Sequence, residues 1–255
     1  MRIIYGINPV REALKYPDNI ESINVSSARK DAVVDSLVRA AQKSGVIVKR
    51  LAADEIARLS GDGKHQGIVA ILRSDFRYRD MDELVAIWKS SGQPAFFLVI
   101  DGVQDPQNLG SLIRAACSAG VHGVVIPKDR ACEVTPTVVK ASAGATEHVA
   151  IAREVNITKA IEELKRSGVW VAGIEAHCKD SIYKSGIDGD IAIVVGSEGK
   201  GIRRLVLESC DMRLCIPTVG GVNSLNAAQA GVVALFEARR QRLCSDSDPH
   251  KKQGK

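Results

Sequence analysis

Ala95-Phe96-Phe97-Leu98-Val99-Ile100 runs directly into Asp101-Gly102-Val103-Gln104-Asp105-Pro106-Gln107-Asn108-Leu109-Gly110-Ser111-Leu112-Ile113-Arg114-Ala115-Ala116. Six consecutive apolar residues predict a strand covered on both faces, as in a parallel sheet. The polar, glycine-containing stretch after them is a turn, and the spacing predicts a helix over Leu109–Ala119. Asn108 is a candidate cap for that helix. Arg114, nearly two turns on, is placed to share a face with it, as a snorkelling surface residue or as a functional group. A loop that leaves a buried strand for a helix lies at the carboxyl edge of the sheet, where α/β proteins bind ligands.

Working outward, similar apolar runs follow at Gly123–Ile126, Val169–Ile174, Ile191–Val195 and, less uniformly, Met212–Ile216. Helical patterns lie between most of them, at Thr135–Ala143, Ile157–Ser167, Ile202–Ser209 and Leu225–Arg242. Strands alternating with helices predict a mostly parallel sheet with helices on both faces. Upstream, residues 1–73 form a smaller α/β unit, with strands at Ile20–Val25, Val46–Leu51 and Ile68–Leu72 and helices at Ala32–Ser44 and Asp54–Leu59. Asn8-Pro9 marks a further helix start. Residues 74–94 read as a linker carrying one helical period at Met81–Ser90. The domain expectation is 1–73, a linker 74–94, a second domain 95–244, and a disordered tail 245–255.

Composition narrows the classes. Of 255 residues, 45% are apolar and 25% charged, which excludes disordered and collagen-like chains. Aromatics are only 4%, too few for a ring-built base-stacking platform. No apolar run reaches the ~20 residues of a membrane-spanning helix, and the start lacks a signal-peptide pattern. Six cysteines without a CxxC pair read as reduced, buried thiols of a cytoplasmic protein. Five isolated histidines without clustered carboxylates argue against a metal. The net charge is +5, and residues 1–73 carry 12 Lys/Arg against 8 Asp/Glu, which suits either a polyanion or an ordinary solvated surface.

Two more segments follow strands. Ile193-Val194-Val195-Gly196-Ser197-Glu198-Gly199-Lys200-Gly201 has three glycines that suggest close backbone approach to a ligand. It fails the phosphate-loop spacing and GxGxxG, and Glu198 would repel a phosphate, so a neutral or cationic ligand suits it better. Ile216-Pro217-Thr218-Val219-Gly220-Gly221-Val222-Asn223-Ser224-Leu225-Asn226 leads into a helix that Ser224 or Asn223 is placed to cap. Small residues at 227, 228, 230 and 231 thin one side of that helix, for a ligand, a partner helix or its own sheet.

In this order the three segments closely resemble the SpoU/TrmH class of the SPOUT superfamily, S-adenosylmethionine-dependent RNA ribose 2′-O-methyltransferases. The N-terminal elements Tyr5-Gly6-Ile7-Asn8-Pro9-Val10-Arg11-Glu12-Ala13-Leu14 and His65-Gln66-Gly67, with Ser142-Ala143-Gly144-Ala145 and Glu147, resemble the two-domain subgroup that methylates a guanosine in 23S ribosomal RNA. The resemblance implies an N-terminal substrate-binding domain, a SPOUT domain with a deep C-terminal trefoil knot, and a homodimer. Spacing alone predicts a Rossmann-like sheet instead of a knot. The resemblance further implies a catalytic set of Arg114, Asn108, Glu198, Ser224 and Asn226. It implies S-adenosylmethionine binding by Gly173, Gly196, Ser197, Gly199, Gly201, Ile216, Pro217 and Leu225. Ribosomal RNA is the expected partner, with no membrane and no metal. The alternatives are a tRNA ribose as acceptor, or an inactive RNA-binding scaffold of the same fold. From the thin side of the last helix we further expect packing across a two-fold interface.

Overall fold

A computed structural model describes residues 2–28, 31–61, 63–219 and 225–246. In chain order the strands are β1 (Arg2–Tyr5), β2 (Ile20–Ser26), β3 (Ile47–Leu51), β4 (Ile68–Leu72), β5 (Phe96–Asp101), β6 (Gly123–Pro127), β7 (Ile151–Glu154), β8 (Trp170–Glu175), β9 (Asp180–Ser181), β10 (Ile191–Gly196) and β11 (Met212–Cys215). The α-helices are α1 (Ile7–Ala13), α2 (Ala32–Lys43), α3 (Ala53–Ser60), α4 (Met81–Ser91), α5 (Pro106–Ala119), α6 (Pro136–Ala141), α7 (Ile157–Arg166), α8 (Arg204–Glu208) and α9 (Ala227–Asp246). The chain divides into two compact units, Met1–Arg77 with Val134–His148, and Tyr78–Glu133 with Val149–Lys255.

The second unit is built on a seven-stranded sheet of order β7-β6-β5-β10-β8-β11-β9 in which every neighbouring pair is parallel. Every residue of β5, β6 and β10 is buried, as the continuous apolar runs require. β7 and β9, on the two edges, escaped the sequence reading because four and two residues of mixed polarity carry no period. α4 occupies much of the expected linker, capped by Asp80 and anchored through Met81 and Leu84 in the core of this unit. α9 runs to Asp246, so the expected tail begins after it, and 247–255 lie outside the described residues. Its buried Arg242 donates to the carbonyls of Pro94, Ala95 and Gly189 and lies 4.3 Å from the Phe96 ring centroid. The expected knot depends on the course of the chain through 216–226, of which 220–224 lie outside the described residues. No helix among the described residues is long and apolar enough to cross a membrane.

The first unit has a four-stranded sheet, β1-β4-β2-β3, with β2 and β3 parallel and the other pairs antiparallel. α1 begins at Ile7, two residues before Pro9, so the proline sits inside the first turn instead of opening it. The sequence reading assigned 134–148 to the second domain, whereas those residues pack into the first unit. Val139 joins a core with Ile4, Val10, Ile23 and Ile68. The Tyr5 hydroxyl meets Thr137 Oγ1 at 3.2 Å, Arg2 pairs with Glu147, and His148 Nε2 lies 2.5 Å from Glu12 Oε2. Hydrophobic period locates α6 but says nothing about which sheet it covers, because an amphipathic helix of six residues fits either. Truncating Val139 to Ala is expected to cost about 1–3 kcal/mol. Amide exchange should then accelerate in β1 and β4 while β5 and β10 keep their protection; equal acceleration in both sheets would place Val139 in the other core.

Candidate active site

The parallel order puts the carboxyl ends of β5, β10, β8 and β11 side by side, with Gly196 in register with Asp101. Asp101 is fully buried, yet its carboxylate is satisfied by one residue: the Arg203 amide donates to Oδ2 at 2.8 Å and Arg203 Nε to Oδ1 at 2.7 Å. This pins the far end of the 197–202 loop to the strand where the first motif begins. Within the loop, Ser197 and Gly201 exchange both backbone hydrogen bonds, at 3.0 and 2.9 Å. A Cβ on Gly196 would lie 2.0 Å from the Gly201 carbonyl carbon and 2.1 Å from the Ile202 nitrogen. The glycine that sequence reasoning reserved for a ligand is therefore required by the loop's own backbone. Gly199 and Gly201 take positive φ values of 77° and 65° that close the turn.

Beside this loop is a cavity of about 690 Å³, its open mouth included. Ile174, Val195, Ile216, Leu225, Ala227 and Ala230 give it apolar walls, and Glu175, Ser197 and Thr218 give it polar groups. Of the expected cofactor residues, Gly196, Ser197, Gly199, Gly201, Ile216 and Leu225 line it. Pro217 and Gly173 do not. Gly173 faces the other side of β8, where a Cβ would lie 2.9 Å from Leu207 and 3.2 Å from the Cys210 sulfur. Strand alternation carries its neighbour Ile174 to the cavity instead, and Glu175 lines it from the strand's last position. Sequence reasoning missed Glu175, Ala176 and Thr218; the signal available was the carboxyl end of an apolar strand.

Three expected catalytic residues meet. Asn108 Nδ2 donates to Glu198 Oε2 at 3.3 Å, and Asn226 Nδ2 donates to Asn108 Oδ1 at 3.4 Å, so one amide bridges the three motifs. Asn108 does not cap α5; Asp105 does, accepting from the Asn108 amide at 2.9 Å. At α9 the cap is Asn226, whose Oδ1 accepts from Ala228 and Gln229 at 2.9 and 3.3 Å. Asn223 and Ser224, expected there, lie outside the described residues. Arg114 is not brought to this cluster. It sits on the exposed stripe of α5 with Gln107, Ser111 and Ser118, because six residues turn a helix well past a shared face. It has no hydrogen bond or ion pair among the described residues.

The small residues of α9 divide between two neighbours. A Cβ at Gly231 would meet Leu112 of α5 at 2.4 Å and Val195 of β10 at 3.1 Å, so this side packs on its own sheet, and Ala230 lines the cavity. The cysteines form no disulfide among the described residues and are only partly buried, with Cys244 exposed, because they lie near element ends or in loops. Burial pushes Cys210 up to about 12, which keeps that sulfur protonated. No metal-holding group of His, Cys, Asp and Glu occurs among the described residues. Gly196→Ala is expected to cost about 1–3 kcal/mol or more, since backbone cannot yield, whereas Gly189→Ala, whose Cβ meets nothing, should be neutral. Thermal unfolding of the pair checks this, and equal midpoints would deny the close loop contact.

Residues 95–236 match the SpoU rRNA Methylase family, and residues 3–76 match the family described as RNA 2′-O ribose methyltransferase substrate binding. A putative TrmH family tRNA/rRNA methyltransferase of Staphylococcus aureus (strain MSSA476) is 39% identical, over 94% of this chain and 96% of its own. The Bacillus subtilis (strain 168) putative TrmH family tRNA/rRNA methyltransferase YacO is 36% identical over 94% and 95%. In fold, the chain is similar to the SpoU methyltransferase AviRb from Streptomyces viridochromogenes in complex with the cofactor AdoMet. The TM-score is 0.76 at 21% identity, covering 95% of this chain and 90% of that one.

Proposed function

This chain belongs to the SpoU rRNA methylase family, and on that premise we propose that it transfers a methyl group from S-adenosylmethionine to the ribose 2′-hydroxyl of a guanosine in 23S ribosomal RNA. The observation that carries the reading is the convergence of Asn108, Glu198 and Asn226, one from each motif, beside a cavity with apolar walls and a carboxylate. The cavity suits the cofactor's chemistry. Its apolar walls fit a purine face, Ala227 and Ala230 leave room where larger side chains would fill it, and Glu175 favours a cation over an anion. What supports the guanosine of 23S RNA is the likeness of Tyr5–Leu14 and His65–Gly67 to that subgroup; the relatives' names span tRNA and rRNA.

S-adenosylmethionine, when bound, supplies an electrophilic methyl carbon on a sulfonium. The residues around it have the work of placing a weakly nucleophilic hydroxyl in line. Asn108 fixes Glu198 and Asn226 relative to one another, and Asn226 ties that group to the first turn of α9. Arg114 acts as a cation and not as a base. It stabilises negative charge growing on the 2′ oxygen while the hydroxyl proton passes to water. Within one chain Arg114 faces solvent, so it reaches a substrate only where RNA or a second copy approaches α5. The homodimer fits that need. α9 leaves Phe236 46% and Leu243 52% exposed, apolar area available to a two-fold partner.

Incubation with S-adenosylmethionine and unmodified 23S transcript, followed by mapping of ribose methylation, tests the proposal. A single 2′-O-methylguanosine is expected; methylation of a tRNA transcript instead would overturn the substrate, and of neither the activity. Arg114→Ala should lower turnover by about 10²–10³ with cofactor affinity within a few-fold. Arg114→Lys should fail comparably, because an ammonium lacks the planar fork. Normal turnover in the lysine variant would show that charge alone suffices.

A further inference from the structure

The excursion of 134–148 into the first unit brings two lysines together. Lys140, on α6, donates from Nζ to the backbone carbonyl of Lys64, and its ammonium lies 5.4 Å from the centre of the Tyr5 ring. Its stem passes Gly6, where a Cβ would stand 3.8 Å from Lys140 Cε. The side chain is thus held from three directions, by a carbonyl, a ring and a glycine backbone, next to an exposed like charge. Among the described residues neither Lys64 nor Lys140 has a carboxylate partner. The acid on the facing helix, Glu12, is engaged by Lys15 and His148. Burial and the Lys64 charge both push the Lys140 pKa down, so the arrangement costs free energy in the unbound protein. An anion seated beside both charges offsets that cost, and no carboxylate among the described residues does so.

We propose that Lys64 and Lys140 jointly seat one backbone phosphate of the RNA substrate, so that the RNA-binding surface of the first unit is completed by a residue from outside 3–76. The inference rests on the RNA methyltransferase reading above and adds to it a place of contact. Lys64 comes from the loop before β4 and Lys140 from α6, so the seat forms only when 134–148 is docked in the first unit. Phosphate recognition of this kind fixes register and orientation without reading sequence.

The test uses the full chain and its K64A, K140A, K64A/K140A and K64R/K140R variants. RNA affinity is measured across a salt series on unmodified 23S and tRNA transcripts, with cofactor titration and thermal unfolding as controls. One phosphate lost flattens the slope of log K against log salt by about 0.7–0.9. The double variant is expected to show that change and each single variant most of it, because one anion is shared. The arginine pair should keep the wild-type slope, cofactor affinity should not move, and K64A should not destabilise the unbound protein. Inorganic phosphate at constant ionic strength should leave RNA affinity unchanged; competition by it would make the seat one for free phosphate and overturn the proposal. An unchanged slope in the double variant, with wild-type RNA binding intact, would overturn the seat alone. Additive losses worth two phosphates would overturn the sharing. Wild-type protein that binds neither transcript would overturn both the seat and the reading beneath it.

Discussion

A carboxylate with no exposed surface at the end of a central strand must find donors within the fold or lose its charge. Asp101 finds them in the backbone and side chain of Arg203, a residue 102 positions later in the chain. Much of the site follows from that pairing. It fixes the exit of the 197–202 loop, and the loop's entry is fixed by Gly196, which has no room for a Cβ. With both ends set, Ser197 and Gly201 pair and Glu198 stands within reach of Asn108. Asn108 in turn receives Asn226, the cap of α9, whose first turn closes the cavity with Ala227 and Ala230. The chemistry of three separate sequence segments therefore depends on the pairing of one buried carboxylate with an exposed arginine and on one close backbone contact.

The central strands were legible because burial on both faces imposes an apolar run that few other structures need. Ile68–Leu72 falls where its run predicts, and β5 and β10 agree with theirs within a residue. Edge strands β7 and β9 were not legible, since a short edge strand need not be apolar. The cap of α5 was read at the wrong residue, and the cap seen at α9 was not foreseen. At α5 Asp105 caps where Asn108 was expected, and at α9 Asn226 caps, because several polar residues in a row each satisfy the rule and only the helix's first hydrogen bond selects among them. Gly173 was assigned to the cavity by resemblance, whereas strand alternation turns it toward Leu207 and Cys210. The roles of Gly196 and Asp101 could not be read from local spacing, because their partners are contacts between distant segments.

The assignment of 134–148 to the first unit changes what that unit is. A contiguous N-terminal fragment lacks Val139 in its core and lacks Glu147, Thr137 and His148, which meet Arg2, Tyr5 and Glu12. The unit that carries the substrate-binding match is completed by residues from beyond the second unit's first two strands. Deleting the N-terminal residues would likewise strip 134–148 of the surface it packs on, so the two halves of the sequence are not separable at 74–94.

The most direct test of this account is calorimetric titration of S-adenosylmethionine into the wild-type chain and into Asp101→Asn, which keeps the side chain's shape and removes its charge. Because the loop that frames the cavity is held by that charge, affinity is expected to fall at least ~10-fold, about 1.4 kcal/mol, while circular dichroism reports an intact sheet. Equal affinity in the two proteins, or no binding by the wild type, would contradict the account.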